Sequence, residues 1–506
     1  MGAWLLQGVK RFPGNSNTRY DLRIDDGVIT RWCNAGSGDT TDAQVRDLEG
    51  LWVLPAFVDS HLHLLYSLEH ARQLDLSQLP SESIRSLLAN HAQENVGESR
   101  VIGHGWKDPL SEQLLPDCRR FLDAVLPGWT VFLWNSDHHR ALVSSAALQA
   151  AGIDPSHHSG VVTEEDAELV WAAIGQPPLE DAHAASQWLL QRGITAATTF
   201  DRGDSIDLLR RENSACQLGV RIRHGMPEAQ FLEVLDGGGS CLPEGTEDSS
   251  FAMPWIKIFL DGTLGSRTAW MKSGYDDDPG NLGVERRPAA SLERTARLAA
   301  KYGWALAIHA IGDAAVAEAN RWIQFTRDLR GTDLPDRIEH FQCFDPEDLA
   351  SIREAGSIAS MQPCHLFQDR QILHSRWGSR AAHALALKSI DEAGIPVVMG
   401  SDAPIESADP WLDIAAAVTR LDRNGEGEAF YPQQRVSFEK AFRWRTSSAA
   451  FANMLPSGWG TLDPGSVADL QVIGAEDPSR VRCLADAQLI DVLSMGEWRL
   501  GNREDR

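Results

Sequence analysis

The stretch Trp304-Ala305-Leu306-Ala307-Ile308-His309-Ala310-Ile311-Gly312-Asp313 runs through five apolar residues into a histidine, turns at a glycine and opens a helical pattern that continues to Leu329. An unbroken apolar run of this length reads as a parallel strand buried on both faces, and the helix behind it makes a β/α unit. The same unit recurs outward in both directions. Strands are expected at Ala56–His61, Ile194–Phe200, Val220–His224, Trp255–Leu260, Trp304–His309, Arg337–Phe341, Ser357–Met361 and Val397–Asp402. Helices are expected at Ser291–Tyr302, Asp313–Leu329, Pro346–Ala355 and Ala381–Ala393, the last two closed by Gly356 and Gly394 as C-caps. Eight strands alternating with helices predict an α/β fold, a (β/α)8 TIM-like barrel, in which chemistry gathers at the C-terminal strand ends.

The first two strands are separated by everything from Leu62 to Gly193, so an insertion at about 70–190 is expected. It is helical in part (Ser81–Asn95, Ala182–Gln191) and contains Gly128-Trp129-Thr130-Val131-Phe132-Leu133-Trp134. Because the barrel's active end is where this loop emerges, the insertion is the candidate lid or specificity wall, with Trp106 and Trp134 near the pocket. Both chain ends read as β, in Tyr20-Asp21-Leu22-Arg23-Ile24 and Ala468-Asp469-Leu470-Gln471-Val472-Ile473. Two short β segments are unstable apart, so 1–54 and 456–506 are expected to form one small composite β-sandwich domain beside a barrel over 55–455.

Composition narrows the function. The 506 residues include 47 Lys+Arg and 71 Asp+Glu, a net charge of −24, which disfavours nucleic acid. Seven scattered cysteines without a CxxC pair suggest neither a disulfide framework nor a thiolate zinc site, and fit a reducing cytoplasm. No apolar run of spanning or signal-peptide length is seen, so no membrane partner is expected. A small-molecule substrate is the expected partner, with a homodimer left open as the assembly.

Chemistry-bearing residues stand at the strand ends. His61-Leu62-His63 puts imidazoles at i and i+2, on one side of an extended chain, where they can share a cation or simply be satisfied core histidines. His309, His340 and Asp402 close three further strands and are candidate ligands at the same rim. Lys257 lies inside the apolar strand Trp255-Ile256-Lys257-Ile258-Phe259, where an unpaired ammonium is costly. Either its stem snorkels outward, or its amine has taken up CO₂ as a carbamate, an anionic donor able to bridge two cations.

Taken in order, Leu54-Pro55-Ala56-Phe57-Val58-Asp59-Ser60-His61-Leu62-His63, Lys257-Ile258-Phe259-Leu260-Asp261-Gly262-Thr263-Leu264-Gly265-Ser266-Arg267, His309-Ala310-Ile311-Gly312-Asp313, Arg337-Ile338-Glu339-His340, Gly400-Ser401-Asp402-Ala403-Pro404 and Gly465-Ser466-Val467-Ala468-Asp469-Leu470 resemble the amidohydrolase superfamily. The likeness is to its family 3 branch, which includes YtcJ-like and N-substituted formamide deformylase-like proteins, and it covers nearly the whole chain. It implies a divalent metal, zinc for preference, one or two per chain: His61 and His63 on one, His309 and His340 on the other. It also implies Lys257 as an N6-carboxylated bridge and Asp402 as both ligand and proton shuttle. The implied reaction is hydrolysis of an amide-type C–N bond in a small molecule by metal-activated water.

The resemblance extends to Asp137-His138-His139 and to Gln362-Pro363-Cys364-His365 with Asp369, which makes His139 and His365 candidates for gripping substrate. His138 stands where the family has glycine, and Ala56 replaces another glycine before the first strand. Arg267 ends a glycine-bearing loop that lacks both P-loop and GxGxxG spacing, and is read either as an anchor for an anionic substrate group or as a structural ion pair. Asp276-Asp277-Asp278 reads as a solvated turn before a calcium site. Two rival functions are a deaminase of a small heterocycle and a non-catalytic interaction protein that keeps the barrel.

Overall fold

The computed structural model describes residues 2–76, 83–95, 97–106, 117–135, 140–174, 182–201, 204–215, 218–331 and 333–501. The chain divides into two compact units, one of Met1–Ser67 with Asp181–Arg506, the other of Leu68–Glu180.

At the centre of the first unit is an eight-stranded parallel sheet: β6 (Phe57–Leu62), β12 (Ile194–Thr199), β13 (Arg221–Pro227), β14 (Phe251–Phe259), β15 (Ala305–Ala310), β16 (Arg337–His340), β17 (Ile358–Met361) and β18 (Val397–Met399), paired in that order. Strands β6, β12, β15, β16 and β17 are buried at every position, as expected of parallel strands covered on both faces. Helices Ala289–Tyr302 and Asp313–Arg330 lead into β15 and away from it, and each ends on a left-handed glycine, Gly303 and Gly331. This is the expected TIM-like barrel. Beyond the last strand, Asp402 N–H donates to His61 O at 2.7 Å and His63 N–H to Ala403 O at 2.8 Å, bringing first and last strands together.

One expected helix is wrong. Residues 381–393 form the end of a 3-10 turn, Gly378–His383, then a short α-helix, Leu387–Glu392. Leu385 sits between them at φ +48° and breaks the run, a conformation that the apolar periodicity could not reveal.

Both termini contribute to a second sheet, ordered β21 (Glu497–Trp498), β20 (Leu489–Ser494), β19 (Leu470–Ile473), β5 (Trp52–Pro55), β1 (Ala3–Arg11), β2 (Tyr20–Asp25), β3 (Val28–Asn34), with β4 (Ala43–Asp47) also on β1. Strand β1 serves both halves: its first residues pair with β2 and β4, and Lys10 and Arg11 pair with β5. The bend lies at Gly8, φ +69°. Leu6, Leu22, Ile29, Val53, Val472 and Trp498 share one core, so the two halves pack as a sandwich.

The inserted unit has a sheet of its own, ordered β11 (Val161–Thr163), β10 (Arg140–Val143), β9 (Thr130–Asn135), β8 (Arg100–Trp106), β7 (Leu74–Asp75). The Trp-rich run is strand β9, and the helix Ala182–Leu190 belongs to the barrel unit instead. Two apolar clusters form the cores of this unit, one around Leu88, Trp106 and Leu133, the other around Phe132, Leu148 and Val170. Among the described residues no helix is long and apolar enough to cross a membrane, and Cys33, Cys118, Cys241, Cys343, Cys364 and Cys483 are free thiols.

Candidate metal centre

Backbone geometry delivers the histidines. On β16 the side chains of Arg337 and Glu339 reach Ser60, Ser360 and His61 in the barrel interior, so alternation would send His340 outward. His340 instead adopts φ +72°, and its ring packs 4.9 Å from that of His61 and 4.4 Å from that of His309. Asp402 is also left-handed, at φ +57°. Two non-glycine residues held there cost about 1–3 kcal/mol each, a strain that collects at functional sites.

Asp402 is the hub. Its Oδ1 lies 3.3 Å from His61 Nε2 and 3.4 Å from His63 Nε2, and its Oδ2 lies 3.4 Å from His365 Nε2 and 4.0 Å from His340 Nδ1. Donor atoms of His61, His63 and Asp402 lie within 4.8 Å of one another, and so do those of His340, His365 and Asp402. Each ring is held from behind: His61 Nδ1 meets Glu339 Oε2 at 2.6 Å, and His63 Nδ1 meets Phe200 O at 3.1 Å. These contacts turn Nε2 of both rings to the shared carboxylate. Glu339 is in turn paired with Arg337 at 2.9 Å, both fully buried. Asp201 accepts from the N–H groups of Leu65 and Tyr66, fixing the helix Leu64–Ala71 that leaves His63.

The donor set fits a divalent cation. Lys257 Nζ, His309 Nδ1 and His340 Nδ1 are buried without a hydrogen-bond partner, which is expensive unless another ligand completes them. Burial drives His309 down to about 3 and holds His340 well below the usual imidazole range, so both are neutral and able to donate a lone pair. Burial raises Asp402, but the surrounding imidazoles, His61 first, outweigh it and keep the carboxyl ionised. For His365 burial lowers the value and the Asp402 hydrogen bond reverses it, to about 9. Lys257 is pushed down by burial to about 8, its Nζ lying 4.3 Å from the Phe200 ring centre and 4.9 Å from that of Phe259.

The structure thus brings His61, His63, His340, His365 and Asp402 together, with His309 and Lys257 beside them. His309 Nε2 is turned to Gly262 O at 3.2 Å and Asp261 Oδ1 at 3.4 Å, and His365 stands closer to Asp402 than a purely substrate-gripping residue needs to. Arg267 is engaged elsewhere, in a two-pronged pair with Asp277 at 3.2 and 2.8 Å, while Asp276 pairs with Arg380, so arginines neutralise this acidic turn. Trp106 and Trp134 are packed into the inserted unit, Trp106 donating to Leu133 O at 2.7 Å and Trp134 lying against Phe132 and Trp171. His139 lies outside the described residues. Glu339, Arg337 and Asp261 escaped notice as supports. The signal was there: a charged residue inside an apolar strand demands a partner, the argument already applied to Lys257.

Comparison with known proteins places this architecture. The pattern of the amidohydrolase family matches residues 44–491. The chain is 29% identical over 515 residues to YtcJ of Bacillus subtilis (strain 168), covering 91% of this chain and 92% of that protein. It is 23% identical over 465 residues to the N-substituted formamide deformylase of Arthrobacter pascens, covering 85% of each. A crystal structure of an uncharacterized metal-dependent hydrolase from Pyrococcus horikoshii OT3 shares the fold, with a TM-score of 0.79 at 22% identity, over 96% of this chain and 100% of that one. Because the family pattern spans the whole barrel and every donor described above, the chain belongs to the amidohydrolase family.

Proposed function

We infer that this hydrolase cleaves the C–N bond of an amide-type small molecule, an N-substituted amide or formamide, at a divalent metal centre. The observation that carries the reading is the Asp402 carboxylate shared between the His61/His63 and His340/His365 pairs. Supporting it is the likeness to an N-substituted formamide deformylase over 85% of both chains. His61, His63, His309, His340 and Asp402 are the proposed ligands, with Lys257 as the proposed bridge, His365 as the proposed grip on substrate, and zinc, one or two per chain, the proposed metal. Such a cation acidifies water and polarises a carbonyl at neutral pH.

The chain's own residues supply proton handling. Asp402, ionised and flanked by imidazoles, accepts the proton of the attacking water on a carboxylate oxygen and returns it to the departing amine nitrogen. Lys257, with its value depressed and its amine unpartnered, holds an appreciable neutral fraction able to add CO₂, which favours the carbamate reading. A small-molecule substrate, a homodimeric assembly and a reducing cytoplasm complete the proposal. The test is elemental analysis of protein purified without chelator, then a screen of N-formyl and N-acyl amines for amine release. Metal near one or two per chain with turnover is the expected result. Metal near zero after incubation with zinc, manganese or cobalt plus bicarbonate would sink the reading.

A further inference from the structure

The barrel closes at the candidate metal centre without a strand ladder. Strands β6 and β18 stand at the two ends of the sheet order, so no ladder joins them among the described residues. Besides the two backbone hydrogen bonds that join His61 to Asp402 and His63 to Ala403, a side chain holds them. Asp59 Oδ1 accepts from the N–H of His61 at 3.2 Å and from the N–H of Ser401 at 3.0 Å, one on each side of the seam. Its Oδ2 faces Arg445 Nη2 at 3.5 Å. Arg445 also donates to Met399 O at 3.1 Å and lies 3.6 Å from Asp413, whose other oxygen accepts from Cys364 N–H at 3.2 Å. Asp59, Arg445 and Asp413 are all fully buried. The seam is also tight: a Cβ on Gly400 would lie 2.3 Å from His61 N.

The residues clasped are the neighbours of the donors. His61 is itself a proposed ligand, Ser401 precedes Asp402, and Cys364 precedes His365. We propose that Asp59, braced by Arg445, is a positioning residue that sets the spacing between the His61/His63 and Asp402 sides of the site and thereby its metal affinity. This rests on the metal-centre reading above. The clasp touches no reacting atom and acts through backbone amides, much as outer partners of metal ligands hold them in place.

Two measurements on Asp59→Ala test it: zinc affinity by chelator competition, and amide hydrogen exchange over 57–63 and 400–404. Expected are a 10–100-fold loss of affinity and faster exchange confined to those segments. Asp59→Asn keeps an oxygen for both amides but turns an NH₂ toward Arg445, so it folds more readily and shows a smaller change in the same direction. The control is Asp336→Asn, which removes another buried carboxylate, paired with Arg330 at 2.7 Å and accepting from Leu306 N–H at 2.8 Å at the opposite end of the barrel. It lowers Tm and leaves zinc affinity unchanged. Wild-type affinity and exchange in both Asp59 variants would overturn the proposal, as would an equal loss of affinity in Asp336→Asn. Should the wild-type protein bind no zinc, manganese or cobalt, the metal-centre reading fails, and exchange in the two seam segments alone upholds or overturns the clasp.

Discussion

A single carboxylate serves four imidazoles at this centre, and that economy makes Asp402 the most exposed point of the proposed mechanism. Asp402→Asn keeps volume and one oxygen donor, so fold and much of the metal should survive, but the amide cannot accept a proton at neutral pH. We expect kcat to fall by about 10²–10⁴-fold with little change in substrate binding. Turnover and metal content measured on one preparation check it, and a variant retaining its metal with more than about a tenth of wild-type kcat would exclude the shuttle role. The residues of this cluster were legible in the sequence to different depths. His61, His63, His340 and Asp402 stood out because polar residues ending apolar strands are conspicuous. The closeness of His365 to Asp402 was not visible, since it follows a turn after β17 whose direction no periodicity records. Glu339 and Arg337 were not legible as supports of His61, because nothing in the sequence places them against it across the barrel interior.

At the scale of elements, the barrel strands were legible because burial on both faces favours short apolar runs, with buried polar residues set into them. Those missed include β7, which has only two residues, and β8, where Gly103 and Gly105 interrupt the apolar run. Strand β13 carries a further legible oddity. His224 is fully buried, neither ring nitrogen has a hydrogen-bond partner, and burial lowers it to about 4 against the pull of Asp201. The unfolded chain takes up a proton on this histidine near pH 6.5, whereas the folded chain resists until about pH 4. Over that interval the unfolded state binds more protons, so stability falls as pH falls. His224→Phe removes one titrating group from a buried strand. Urea midpoints measured from neutral to acid pH should show a shallower decline for the variant between pH 6.5 and 4. Parallel curves would mean that His224 is charged in the folded state.

On the scale of the whole molecule, the division into two units predicts where damage stays. Trp106 is 1% exposed in the core of the inserted unit, and its indole N–H is satisfied at 2.7 Å by Leu133 O. Trp106→Ala should cost the inserted unit about 3–5 kcal/mol while the barrel keeps its metal. Hydrogen exchange resolved by segment, read with metal content, checks this, and loss of metal would show that the two units are energetically one. The composite sheet has a different consequence, for biosynthesis. Strand β5, at Trp52–Pro55, leaves the ribosome long before its antiparallel partner β19, at Leu470–Ile473. Until then the β5 edge offers unpaired amides and carbonyls to any neighbouring chain. A nascent chain that stops short of β19 therefore carries an open margin ready to pair with a neighbouring strand.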